Sequence, residues 1–149
     1  MNASSAKGAE AEIPFRDVGC AIIHHQGRIL IAQRPPGSNL AGYWEFPGGK
    51  REEGETIETC LVREAWEELR IRILPERLVC QNFHLDPVRR LALYFYLCRW
   101  TAGVPVAHGC YAWRWVEPEA MRKLRFPPAD RDVIEDLIRK KFFYFGRTF

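Results

Sequence analysis

The sequence predicts a mixed α/β domain, in which a mixed sheet packs against helices. Three observations predict it. Two apolar, β-branched runs, RDVGCAIIHH (16–25) and RILIAQ (28–33), are separated only by Gln26-Gly27. A second region, IETCLVREAWEEL (57–69), has helical spacing. A third, RLALYFYLCRW (90–100), is apolar almost throughout.

Each element has a local reason. The first two runs form a hairpin, because a two-residue Gln-Gly connection turns the chain tightly. Residues 34–55, RPPGSNLAGYWEFPGGKREEGE, carry proline and glycine too often for helix or central strand. A loop of that length in one domain is usually functional or disordered, and Tyr43, Trp44 and Phe46 argue against disorder. In 57–69, Ile57, Leu61, Ala65 and Leu69 form an i, i+4 stripe, with Val62 and Trp66 widening it. Thr56 is the expected N-cap, and Glu58 suits the positive end of the helix dipole. Strands follow at about 76–85 and 90–100, the latter central, and at 111–116, YAWRWV. Pro127-Pro128 breaks the chain, and Asp130 is expected to cap a last helix, RDVIEDLIRKKF.

Composition narrows the function classes. The 149 residues fit one domain, expected over 15–149, behind a small polar tail over 1–14 that reads as disordered. No apolar run approaches a membrane span, and MNASSAKGAEAE lacks a signal peptide's apolar core. Five cysteines without a C-x-x-C spacing suggest neither a disulfide framework nor a zinc site, and the expected compartment is the cytoplasm. A net charge of +3 is too small to argue for nucleic-acid binding, although Arg139, Lys140, Lys141 and Arg147 crowd the C-terminus. The run KKFFYF mixes bases with aromatics, as nucleic-acid surfaces do, or ends a packed helix.

The helix 57–69 raises the functional question. At 100° per residue, Glu64, Glu67 and Glu68 share about a third of its circumference, beside the core-facing stripe. Like charges at i+3 and i+4 repel. A solvated acidic face tolerates that repulsion, whereas a divalent cation turns it into attraction. All-oxygen ligands suit Mg²⁺ or Mn²⁺. Gly48-Gly49 and Gly54 place flexible backbone just before the helix, where carbonyls and amides can complete a metal or phosphate site.

The spacing from Gly49 to Glu55, Arg63-Glu64, Glu67-Glu68 and Ile71 resembles the Nudix box, G-x5-E-x7-R-E-U-x-E-E-x-G-U with U apolar. YWEFPGGK and FPPAD resemble the MutT branch of that family, and the likeness runs from residue 16 to about 139. It implies the Nudix fold, an α/β/α sandwich around a mixed sheet. It implies a Mg²⁺-dependent hydrolase (Mn²⁺ serving as well) that converts a nucleoside triphosphate to monophosphate and pyrophosphate, acting as monomer or homodimer. Glu64, Glu67, Glu68 and the Gly48 carbonyl are the implied metal ligands. Glu67 is the residue expected at the nucleophilic water, and Arg63 and Glu55 orient the carboxylates. Arg34 is expected at the phosphates or base edge, the Phe46 backbone at the base, and Arg89 and Arg90 are candidates for phosphate contact. Tyr43 and Trp44 either line the nucleotide pocket or pin the long loop.

Three positions depart from the pattern. The late glycine of the box is Arg70. A loop glutamate expected near Gly109 is missing, leaving His108 as its one candidate substitute. The base-reading position after FPPA is Asp130, where the best-known MutT-type members carry asparagine. Asparagine donates and accepts; ionised aspartate only accepts, which suits the amino edge of cytosine. The resemblance makes hydrolysis of 8-oxo-dGTP the leading expectation; Asp130 counts against it and brings CTP or 5-methyl-dCTP next, with triphosphorylated RNA 5′ ends third. The contrasting class is a non-catalytic module that reads oxidised guanine, and the intact acidic box argues against it.

Overall fold

A computed structural model describes residues 13–146. The expected tail falls almost wholly outside them; of its last two residues, Ile13 offers its carbonyl to Arg90. Seven strands build one sheet: β1 (Arg16–His25), β2 (Arg28–Gln33), β3 (Trp44–Glu45), β4 (Gly48–Lys50), β5 (Arg72–Leu85), β6 (Arg90–Ala102) and β7 (Ala112–Val116). The helices are α1 (Ile57–Leu69), α2 (Arg131–Arg139) and α3 (Lys141–Phe145), with 3-10 turns at Pro118–Lys123 and Pro128–Asp130. The main strand order is β3-β2-β1-β6-β5, with β7 on β2 and β4 on β1. The β1–β6 pair is parallel and the rest antiparallel, so the sheet is mixed.

The hairpin forms as expected. Gln26 (φ 50°) and Gly27 (φ 76°) both lie in the left-handed region, the requirement of a tight two-residue turn. Alternation along β1 and β2 then divides the core. Ile23 and Leu30 face α1, with Leu61, Ala65 and Leu69. Ile22, Ile29 and Ile31 face α2, with Val133, Ile134 and Leu137. One helix therefore covers each face of the sheet, giving three layers. As expected, β6 is internal, between β1 and β5.

Several expectations are corrected. The loop over 34–55 contains two short strands: β3 against the end of β2, and β4 against the middle of β1. Strand β5 starts at Arg72 rather than 76, because β6 extends to Ala102 and offers those residues partners. Pro75 is tolerated there because β5 is an edge strand and its register shifts between Pro75 and Arg77. Trp66 is not part of the core stripe; it is exposed, with Arg72 stacked 4.2 Å and Arg70 5.2 Å from its ring centre. The last helix breaks at Lys140 (φ −109°, ψ 28°) instead of running to Phe142. Beyond the break Tyr144 and Phe145 pack on the core, while Phe142 and Phe143 stay exposed. Among the described residues, no helix is long and apolar enough to cross a membrane.

Candidate functional site

The acidic site lies where β4 meets α1. Thr56 begins the helix as expected, its hydroxyl accepting from the Thr59 amide while Thr59 Oγ1 accepts from the Thr56 amide. That start fixes the phase of the helix and so directs the glutamates. Burial of Leu61, Ala65 and Leu69 against the sheet carries Glu64 and Glu68 inward beside them. Glu64 is left 15% exposed and Glu67 53%.

Opposite Glu64 run Gly48 and Gly49. Gly48 pairs with Cys20 and Gly49 with Gly19 across the β1–β4 ladder. A Cβ on Gly49 would stand 2.4 Å from Glu64 Oε1, and one on Gly48 would stand 1.9 Å from the Gly19 carbonyl oxygen. Gly48 therefore needs glycine to admit the neighbouring strand, whereas a Cβ at Gly49 would push the Glu64 carboxylate from its place.

Arg63 ties the cluster together. It donates to both oxygens of Glu55 (2.8 Å each), to Glu64 (2.9 Å), to Glu67 (3.1 Å) and to the Lys50 carbonyl (3.1 Å). The bidentate Arg63 bond holds the Glu55 carboxyl down at about 2. Arg63 itself is held protonated, chiefly by Glu55. Glu64 is pushed above the usual carboxylate range by burial, with Arg63 opposing. Glu68 is pushed well above it, first by burial and then by Glu45 and Glu64. Glu68 Oε2 is buried without any hydrogen-bond partner. A carboxylate oxygen left bare in this way costs free energy unless a proton or cation meets it.

The donor set fits a hard divalent cation: carboxylate oxygens with one already bare, beside the backbone of Gly48. Among the described residues, however, no group of three or more His, Cys, Asp or Glu side chains is gathered closely enough to hold a cation as placed. The reason is visible in the bonding: Arg63 draws Glu67 and Glu64 towards itself. Half-exposed Glu67 is the member free to turn.

Asp130 holds the N-cap position of α2, as the sequence suggests, but its side chain does not cap the helix. It ends the 3-10 turn Pro128–Asp130, makes no capping bond, and is 7% exposed, the one buried charged side chain among the described residues. Burial, reinforced by the charge of Glu45, pushes its carboxyl up to about 7. Glu45 is the residue that sequence reasoning passed over. It pairs with Arg34 (3.0 Å), and its charge is felt at both Glu68 and Asp130. The available signal was a lone acid between buried Trp44 and Phe46. Arg34 also donates to the Asn39 carbonyl. Phe46 points its ring into the core against Phe95 and Phe126, which leaves only its backbone for a ligand.

The remaining candidates separate from this cluster. Arg89 bonds Asp86 within its own β5–β6 turn (3.2 Å), and Arg90 lies over the Phe15 ring. His108 sits at the C-terminus of α1. Its Nδ1 donates to the Glu67 carbonyl (3.0 Å), so Nε2 is the atom that accepts from Arg70 (2.9 Å). Both ring nitrogens are engaged away from the carboxylates. The Gly109 and Val106 amides satisfy the next two helix carbonyls, on Glu68 and Leu69. This loop caps a helix rather than bringing another acid. Trp44 is buried in the core beneath Arg114, and Tyr43 lines a separate cleft.

Comparison with known proteins agrees with this geometry. Residues 18–136 match the model of the NUDIX domain. An 8-oxo-dGTP diphosphatase of Haemophilus influenzae is 35% identical over 125 residues, spanning 83% of this chain and 91% of the relative. A CTP pyrophosphohydrolase of Escherichia coli is 37% identical over 119 residues, 80% of this chain and 88% of the relative. The solution structure of the E. coli ORF135 protein superposes with a TM-score of 0.76 at 32% identity, covering 91% of this chain and 96% of that one. An acidic helix docked on a glycine strand is thus accompanied by family-wide likeness in sequence and fold, and the chain belongs to the Nudix family of hydrolases.

Proposed function

We propose that this pyrophosphohydrolase acts on an oxidised guanine nucleoside triphosphate, 8-oxo-dGTP, releasing the monophosphate and pyrophosphate. The observation that carries the reaction is the bare Oε2 of Glu68 beside largely covered Glu64, held opposite two glycines. Glu64, Glu67, Glu68 and the Gly48 carbonyl would hold Mg²⁺, or Mn²⁺ in its place. When bound, such a cation neutralises phosphate charge and lowers the pKa of a water. The chain's own residues do the rest. Arg63 and Glu55 fix the carboxylates. Glu67, the most exposed of the three acids, takes the proton from the attacking water. Arg34 meets the nucleotide from the end of β2, where Glu45 holds it.

Asp130 supports the base assignment. A carboxyl that titrates at about 7 is protonated in a large share of molecules at neutral pH. In that form it donates and accepts, as the carbonyl and protonated ring nitrogen of 8-oxoguanine require. The ionised form only accepts and suits an amino edge. That favours a second reading, hydrolysis of CTP or 5-methyl-dCTP, and the E. coli relative named for CTP accords with it. The test is pyrophosphate release with Mg²⁺ from 8-oxo-dGTP, dGTP, CTP, 5-methyl-dCTP and triphosphorylated RNA. The largest kcat/KM is expected for 8-oxo-dGTP; a larger one for CTP would select the second reading, and no turnover of any would reject both.

A further inference from the structure

A cleft of about 370 Å³ opens beside α2, away from the acidic cluster. Met121, Leu124, Phe126 and Ile134 give it an apolar floor, and Tyr43, Arg122, Arg125, Arg131 and the acid Glu135 stand around it. None of the residues assigned to the hydrolytic site lines it. The cleft is fixed by backbone: the Trp44 amide donates to the Arg125 carbonyl at 2.7 Å, and the Tyr43 amide to the Leu40 carbonyl at 3.0 Å.

Its charge is the telling feature. Almost every described arginine has an acid, a histidine or an aromatic ring for its guanidinium. Arg122 is one of these, bound through two nitrogens to both oxygens of Glu135 (2.9 and 2.7 Å). Among the described residues only Arg16, Arg125 and Arg131 have no side-chain partner, and two of these three face this one cleft. With Glu135 taken up by Arg122, two unpartnered guanidinium groups lining a small cleft with an apolar floor suit a phosphate attached to a flat ring. Tyr43 adds a ring on which a base can stack.

We propose that this cleft is a second nucleotide site, separate from the hydrolytic one. It takes the phosphate of a mononucleotide at Arg125 and Arg131 and the base on the apolar floor beside Tyr43.

The test is titration of the full-length protein, kept in EDTA, with GMP, inorganic phosphate and an unphosphorylated five-residue oligoribonucleotide, followed by amide NMR shifts. GMP is expected to shift Tyr43, Leu124 and Ile134 saturably. The double variant Arg125→Gln/Arg131→Gln is expected to bind it at least tenfold more weakly, with unchanged Tm and unchanged pyrophosphate release. Shifts confined to the surroundings of Asp130 and Glu68, or equal affinity in the double variant, would overturn the proposal. Phosphate alone binding as tightly as GMP would remove the role of the floor and overturn the nucleotide assignment. Tighter binding of the oligoribonucleotide, lost in the double variant, would overturn it in favour of a strand.

Discussion

At Asp130 one carboxyl links stability, pH and base choice. Its folded pKa, about 7, lies well above the value of about 4 that an exposed aspartate has. Between those values the folded protein holds a proton that the unfolded chain has lost, so stability falls as pH rises from about 4 to about 7 and then levels. The full cost above that window is up to ~4 kcal/mol. Asp130→Asn removes the dependence, so its Tm relative to wild type should be higher at pH 8 than at pH 5. The same proton sets selectivity. The ratio of kcat/KM for 8-oxo-dGTP over CTP should fall through pH 7 in wild type and stay flat in Asp130→Asn; a ratio unchanged by pH in wild type would remove the base-reading role. Glu67 offers a cleaner separation of function from fold. It is half-exposed, and Arg63 keeps Glu55 and Glu64 without it. Glu67→Gln should therefore lower kcat by ~100-fold or more, within the range of general-base loss, and leave Tm nearly unchanged. The three acids were legible in the sequence, because i, i+3 and i+4 spacing fixes a shared face. The burial of Asp130 was not, because a cap and a buried acid look the same before the packing of Glu45 and α2 is known.

The helix α1 shows how an element can be legible in its body and obscure at its ends. Periodicity located residues 57–69, and Thr56 marked the start. The finish depends on residues far along the chain. Arg70 takes the left-handed conformation (φ 56°, ψ 35°), with its amide bonded to the Trp66 carbonyl, so the helix ends as glycine would end it. A residue with a Cβ pays about 1 kcal/mol for that geometry. His108, the Trp66 ring and the amides of Val106 and Gly109 surround the strained turn. Arg70→Gly should be more stable than Arg70→Ala by ~1 kcal/mol in denaturant unfolding, because alanine keeps the strain and loses the contacts. The opposite end of the site is steric. Gly49→Ala puts a methyl 2.4 Å from the Glu64 carboxylate. It should reduce kcat at least tenfold; a kcat near that of wild type would show that close approach is not the role of Gly49.

Across the whole molecule, a mixed sheet packed against helices followed from apolar patterning and the two covered faces from the family resemblance, whereas sheet pairings within the long loop did not. Proline and glycine in 34–55 hid β3 and β4 because propensity has no knowledge of an unpaired neighbour. The structure shows that β1 and β2 recruit those segments as partners. The edge strand β5 likewise grew past Pro75 because β6 was long enough to receive it. The pairing of β4 with β1 has a consequence for how the protein fails. A glycine-rich loop on its own would open many times before the domain unfolds. Here Gly48 and Gly49 are rungs of a ladder whose other rail, β1, also carries β2 and β6. Hydrolytic competence should therefore not fade ahead of the fold on heating. Activity and the far-ultraviolet signal are expected to vanish in one transition, and the Gly49 amide to exchange with solvent as slowly as those of β1.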